Sequence, residues 1–138
     1  KNSKRKNVIT PHMGEMSRLT GIPINELVDN RIAIAVDFAK KYGVIVLLKG
    51  YNTIITDGKE VYVNSSGNSK MASGGMGDAL TGIITSFIGQ GYEPFKATIL
   101  AAFLHGYCGD VLSKGMFCVN ASHVVEKLPY VINDINYI

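Results

Sequence analysis

The spacing of apolar residues changes several times along the chain, and each change marks an element. Val8–Thr10 is a short β-prone run that stops at Pro11. Gly14–Leu19 reads as a helical turn closed by Gly21. Apolar residues at 24, 27, 28, 32, 35, 36 and 39 then recur at the helical period. Asn25 would cap that helix, Glu26 suits its first turn, and Lys40 and Lys41 suit its last. Gly43 supplies the residue that ends it. Val44–Leu48 is continuously apolar, as in a strand buried on both faces and paired in parallel. Thr53–Thr56 and Val61–Asn64 flank Asp57-Gly58, the signal of a hairpin. Ser65–Gly77 reads as a loop. Helical spacing resumes over Asp78–Gln90 and Glu93–Leu112, with Pro94 in a first turn. Ala121–Leu128 is a short closing helix with Ser122 near its cap. The order predicts an α/β fold with a mixed sheet and two long helices packed on it.

Composition narrows the picture. The 138 residues, 46% hydrophobic and 18% charged, suit one folded domain with a core. Mean hydropathy is +0.15, apolar enough for a partner surface to cover part of it. The net charge of +3 does not point to nucleic acid. Lys1, Lys4, Arg5 and Lys6 account for the excess; the rest of the chain carries 10 basic and 11 acidic residues. Cys108 and Cys118 form no CxxC pair and no cluster with metal spacing. They read as reduced thiols of a cytoplasmic protein. Ala97–Leu104 is the nearest approach to a membrane span and is too short. Neither a signal peptide nor a metal site is expected.

The chemistry concentrates in Gly74-Gly75-Met76-Gly77-Asp78, just ahead of a helix. Glycines let backbone N–H groups crowd an anion, and a helix start adds unpaired donors and a positive dipole end. An aspartate there can take a proton from an attacking hydroxyl as phosphate is transferred. Taken alone, the same residues also fit a flexible loop with Asp78 as an N-cap. The segment lacks the Gly-Lys-Ser/Thr of a Walker A loop and the GxGxxG of a dinucleotide fingerprint. Lys49–Thr53 taken alone is a turn at a strand end, and His12 a loop histidine. Glu15 and Arg18 are spaced for a local ion pair. His105-Gly106 and Met13, Met16, Met71 and Met76 read as packing.

Three ordered motifs carry a resemblance. Met71-Ala72-Ser73-Gly74-Gly75-Met76-Gly77-Asp78-Ala79-Leu80-Thr81-Gly82 resembles the signature of the ribokinase-like superfamily. Thr10-Pro11-His12-Met13-Gly14-Glu15 and Leu48-Lys49-Gly50-Tyr51-Asn52-Thr53 are similar to the TPHxGE and LKGxxT segments of the NAD(P)H-hydrate dehydratases. The match runs from Val8 to about Gly109, though Ser73 and Met76 stand where that family more often has Thr. The resemblance implies residues 1–138 as a single, partial ribokinase-like domain, the C-terminal half of a mixed, mainly parallel sheet flanked by helices.

It further implies Asp78 as the catalytic base and a substrate contact. His12 becomes a contact on the nicotinamide-hydrate side. Lys49, Gly50, Tyr51, Asn52, Thr53 and Gly77 become the nucleotide contacts, and Gly74, Gly75, Met76 and Gly77 the anion hole. The implied substrate is NADH hydrate or NADPH hydrate, the co-substrate ADP or ATP, and the ion Mg²⁺ bridging the phosphates. Such a domain is roughly twice this long. Association with an N-terminal half, or as a homo-oligomer, is therefore expected. A ribokinase-like kinase for a sugar, thiazole or pyrimidine alcohol is the alternative activity, and an inactive nucleotide-binding fragment the alternative without catalysis.

Overall fold

The computed structural model describes residues 6–136. Lys1, Lys4 and Arg5, which carry most of the basic excess, lie outside the described residues. Contacts group the chain into two compact units, Lys1–Asn64 with Glu93–Thr98, and Ser65–Tyr92 with Ile99–Ile138.

The first unit holds β1 (Val8–Ile9), α1 (Met13–Thr20), α2 (Ile24–Asp29), α3 (Arg31–Tyr42), β2 (Ile45–Leu48), β3 (Thr53–Thr56) and β4 (Val61–Asn64). The strands form one sheet in the order β1-β2-β3-β4. β1 runs parallel to β2, with Val8 opposite Ile45. β2–β3 and β3–β4 are antiparallel, with Val46 opposite Thr56 and Ile55 opposite Tyr62. The sheet is mixed as expected, but within the described residues parallel pairing is confined to β1–β2. The cause is the hairpin at Asp57-Gly58, which turns the chain straight back and can only make antiparallel neighbours.

One face of the sheet builds the core. Val46, Leu48 and Ile54 pack with Met16, Leu27, Ala35 and Ala39, all but fully buried. Ile45 and Leu47 point the opposite way and are also buried, which is why the strand reads as continuously apolar.

The expected helix from Asn25 to Gly43 is two helices. α2 starts at Ile24 after Pro23, so Asn25 is not its cap. Asn30 breaks the run: its backbone leaves helical geometry, and its N–H and Nδ2 both donate to the Glu26 carbonyl. A short amide side chain competing for backbone partners ends one helix, while the Asn30 carbonyl starts the next. Gly43 ends α3 in the left-handed region, as its position suggested.

The second unit holds a 3₁₀ turn at Ser69–Met71, α4 (Met76–Gly89), most of α5 (Pro94–Leu112) and α6 (Ala121–Asn136). Its interior includes Leu80, Ile83, Ile84, Phe87, Leu104, Cys108, Val119, Val124 and Val131. α6 runs eight residues past the expected end at Leu128, straight through Pro129. Pro129 has no N–H to give the carbonyl of Val125, and that residue is exposed, where solvent can take the partner's place. Asn120, not Ser122, caps α6: its side chain accepts from the His123 N–H at 3.0 Å.

Candidate active site

Two of the three motifs meet in the first unit. His12 is the N-cap of α1. Its Nδ1 accepts from the Glu15 N–H at 3.1 Å, and Glu15 Oε2 accepts from the His12 N–H at 2.8 Å. This is a reciprocal capping box with an imidazole in place of a hydroxyl. Because Nδ1 accepts from Glu15, the ring N–H lies on Nε2, 3.6 Å from Glu15 Oε1. A Cβ on Gly14 would press to 3.1 Å from His12 Cε1, so the small residue there leaves room for the ring.

Lys49 ends β2 beside that box. Its N–H donates to the Pro11 carbonyl at 2.8 Å, and its Nζ lies 3.9 Å from Glu15 Oε2. The His12 N–H holds the Glu15 carboxyl below its ordinary range against a smaller desolvation, helped by the charges of His12, Lys49 and Arg18. The spacing had suggested a Glu15–Arg18 pair; the carboxylate instead faces His12 and Lys49. An open hollow of about 510 Å³ borders this corner, lined by Ile9, Thr10, Pro11, Glu15, Arg18 and Leu19.

Gly50, Tyr51 and Asn52 form the turn from β2 into β3. Asn52 sits at φ 54°, a left-handed position that Asn tolerates. Thr53 Oγ1 donates to the Gly50 carbonyl at 3.1 Å, and Arg31 Nη1 to the Tyr51 carbonyl at 2.6 Å. The turn is thus tied down at two points while the Tyr51 side chain stands 88% exposed.

The third motif forms in the second unit. Gly75 is the N-cap of α4, at φ 81°, and no side chain caps the helix. Met76, Gly77 and Asp78 are its first three residues, so Asp78 lies inside the first turn and is not the cap. Glycine at the cap leaves the first N–H groups of α4 to an incoming anion. No described residue engages the Asp78 carboxylate, which is exposed. Nothing lies within 4 Å of the place a Cβ would take on Gly74.

The loop ahead of α4 is seated on α5, a support the sequence pattern did not disclose. Asp110 accepts from the Gly67 N–H at 2.9 Å and from Asn68 Nδ2 at 2.7 Å. Lys70 Nζ donates to the carbonyls of Ser113 and Met116. Gly106 and Gly109 are small because Ser66 and Met71 lie against them. The hydrogen-bonded partners stand 42 to 46 positions apart, beyond any periodicity argument. Among the described residues no cluster of three or more His, Cys, Asp or Glu could hold a metal ion, and no helix is long and apolar enough to cross a membrane.

An α/β chain with a glycine-capped helix and an unengaged aspartate in its first turn belongs to a recognisable class. Arabidopsis thaliana ribokinase shares the fold at 21% identity and a TM-score of 0.52, over 88% of this chain and 40% of its own. A ribokinase-like superfamily protein of Enterococcus faecalis matches at 35% identity and a TM-score of 0.83, over 96% of this chain and 46% of its own, and the class is ribokinase-like. Within it, the chain belongs to the NAD(P)H-hydrate dehydratase family, whose profile matches residues 1–130. It is 42% identical to the bifunctional NAD(P)H-hydrate repair enzyme of Moorella thermoacetica, over 93% of this chain and 25% of that one. It is 38% identical to the ADP-dependent (S)-NAD(P)H-hydrate dehydratase of Staphylococcus aureus, over 93% of this chain and 45% of that one. The ADP/ATP-dependent NAD(P)H-hydrate dehydratase of Bacillus subtilis, co-crystallised with ATP and Mg²⁺, matches with a TM-score of 0.89 at 32% identity. That match covers 94% of this chain and 48% of the solved one. The chain thus spans under half the length of these relatives.

Proposed function

We propose that the chain is the nucleotide- and hydroxyl-handling part of an NAD(P)H-hydrate dehydratase that uses ADP or ATP. The observation that carries the proposal is the start of α4. A glycine cap, uncapped N–H groups and an unengaged Asp78 carboxylate occupy one helical turn. That is an anion site with a base beside it.

In this reading the terminal phosphoryl group lies on the N–H groups of Gly74 to Gly77. Asp78 takes the proton of the hydrate's ring hydroxyl as that oxygen attacks phosphorus. The nucleotide leaves one phosphate shorter. The ring nitrogen's lone pair then expels phosphate by breaking the carbon–oxygen bond. Loss of a proton from the adjacent carbon restores the dihydropyridine. Lys49, Gly50, Tyr51, Asn52 and Thr53 would hold the nucleotide, with the fixed turn presenting backbone groups and the exposed Tyr51 ring. His12 would face the nicotinamide hydrate, its Nε2–H oriented by the capping box. Mg²⁺ would supply positive charge to offset that of the phosphates.

The remaining assignments belong to the same proposal. Residues 1–138 would be one partial domain of a cytoplasmic protein, a compartment supported by two free cysteines. Association with the remainder of a longer chain, or with a second copy, would cover Ile24, Val28 and Ile32, which lie exposed four residues apart. A coupled assay tests the activity. Full-length protein with ADP or ATP and Mg²⁺ should restore the dihydronicotinamide absorbance of NADPH hydrate. Phosphorylation of a sugar, thiazole or pyrimidine alcohol without that recovery would assign a kinase instead. Nucleotide binding with neither reaction would leave a binding module.

A further inference from the structure

His105 lies on α5, half-buried in the second unit, and its Nε2 is 3.2 Å from the carbonyl oxygen of Met76. A carbonyl can only accept, so the ring donates from Nε2. The carbonyl belongs to the Met76–Gly77 peptide unit, and the N–H of that same unit is Gly77's. In a helix the two ends of a peptide unit point in opposite directions along the axis. A hydrogen bond on the Met76 carbonyl therefore grips, from inside the helix, the unit whose N–H faces out of the N-terminus. It fixes the plane of that unit. It also draws electron density toward the carbonyl, which makes the Gly77 N–H a stronger donor.

We infer that His105 is a positioning residue for the phosphate site: it orients and polarises the Met76–Gly77 peptide so that the Gly77 N–H meets the transferring phosphoryl group. The inference deepens the proposed function and rests on it. Burial holds the His105 ring below its ordinary pKa despite the Met76 carbonyl, which favours the neutral ring. A neutral donor suits this place, since it polarises the peptide without bringing a second formal charge beside Asp78. The sequence showed only a histidine in an apolar helix, and packing was the plain reading. What alters it is a specific acceptor 29 positions away.

The test uses two substitutions of similar volume in the full chain. His105→Gln retains an N–H donor; His105→Met fills the space without one. The Kd for ADP with Mg²⁺ is measured by calorimetry, and kcat and KM by hydrate repair. His105→Met should weaken ADP binding about tenfold and lower kcat, and His105→Gln should stay within about threefold of the parent. Equal behaviour of the two variants, whether both near the parent or both impaired, would overturn the inference. A second readout needs only the parent protein. Nitrogen-15 NMR of its histidines should show the Nε2–H tautomer for His105 at pH 7, and an Nδ1–H tautomer contradicts the bond. A parent that binds ADP but repairs no hydrate refutes the proposed activity while leaving the binding and tautomer tests of His105 intact.

Discussion

At the scale of single residues, position within the first turn of α4 decides what Asp78 can do. Asp78 is the third helical residue, and no described residue engages its carboxylate, so the group remains available as a base. Asp78→Asn should lower hydrate repair by about 10²–10⁴-fold while the Kd for ADP stays within about threefold, read by absorbance recovery and calorimetry. A Kd that weakened as much as kcat fell would place Asp78 in nucleotide binding. His12→Ala removes the side-chain half of the capping box, leaving the backbone N–H to Glu15, and should cost about 1 kcal/mol in urea unfolding. The place of Asp78 and its glycines at a helix start was legible, because a helix start is set by neighbours in sequence. The capping role of His12 was not legible, since imidazole is an uncommon cap. The bond of His105 to Met76 was hidden because its partner lies on another helix.

Elements were legible where one local signal ruled them. The Asp57-Gly58 hairpin, Gly43 at the end of α3 and Pro94 at the start of α5 all followed from turn and cap chemistry. The division at Asn30 and the run of α6 through Pro129 did not, because exposure and side-chain competition decided them. The hairpin yields a pH prediction. Against the cost of its desolvation, Asp57 accepts from the N–H groups of Glu60 and Lys59 and from Lys6 Nζ, and its pKa falls from 3.8 to about 2. A lowered folded pKa contributes stability above pH 3.8 that is lost as pH falls toward 2. Asp57→Asn should therefore be less stable than the parent at pH 6, with the gap closing between pH 4 and pH 2, as followed by denaturant midpoint.

α5 yields a second element-scale prediction, opposite in sign to helix propensity. Gly→Ala inside a helix ordinarily stabilises by about 0.5–1 kcal/mol. At Gly106 a Cβ would meet the backbone of Ser66, with its carbonyl carbon at 2.6 Å. Gly106→Ala should therefore destabilise by about 1–3 kcal/mol. Gly109→Ala meets the Met71 side chain, which can move, and should cost less. Thermal unfolding of the pair checks the order; equal midpoints would mean that the loop at Ser66 is not seated on α5.

For the molecule as a whole, the order of strand, helices, hairpin, glycine loop and helices was enough to indicate a mixed α/β fold. The share of parallel pairing was less legible, because hairpin chemistry sets β3 and β4 while only β1 and β2 run parallel. The first two motifs meet through His12, Glu15 and Lys49, a convergence that turn chemistry alone did not predict. The chain spans under half the length of the relatives reported.

The most direct measurement follows two products at once, phosphate and restored dihydronicotinamide, from NADPH hydrate with ADP and Mg²⁺. The account predicts one phosphate released per NADPH restored by the parent protein, and loss of both together in Asp78→Asn. Phosphate release without recovery of NADPH, or full recovery by Asp78→Asn, would contradict it.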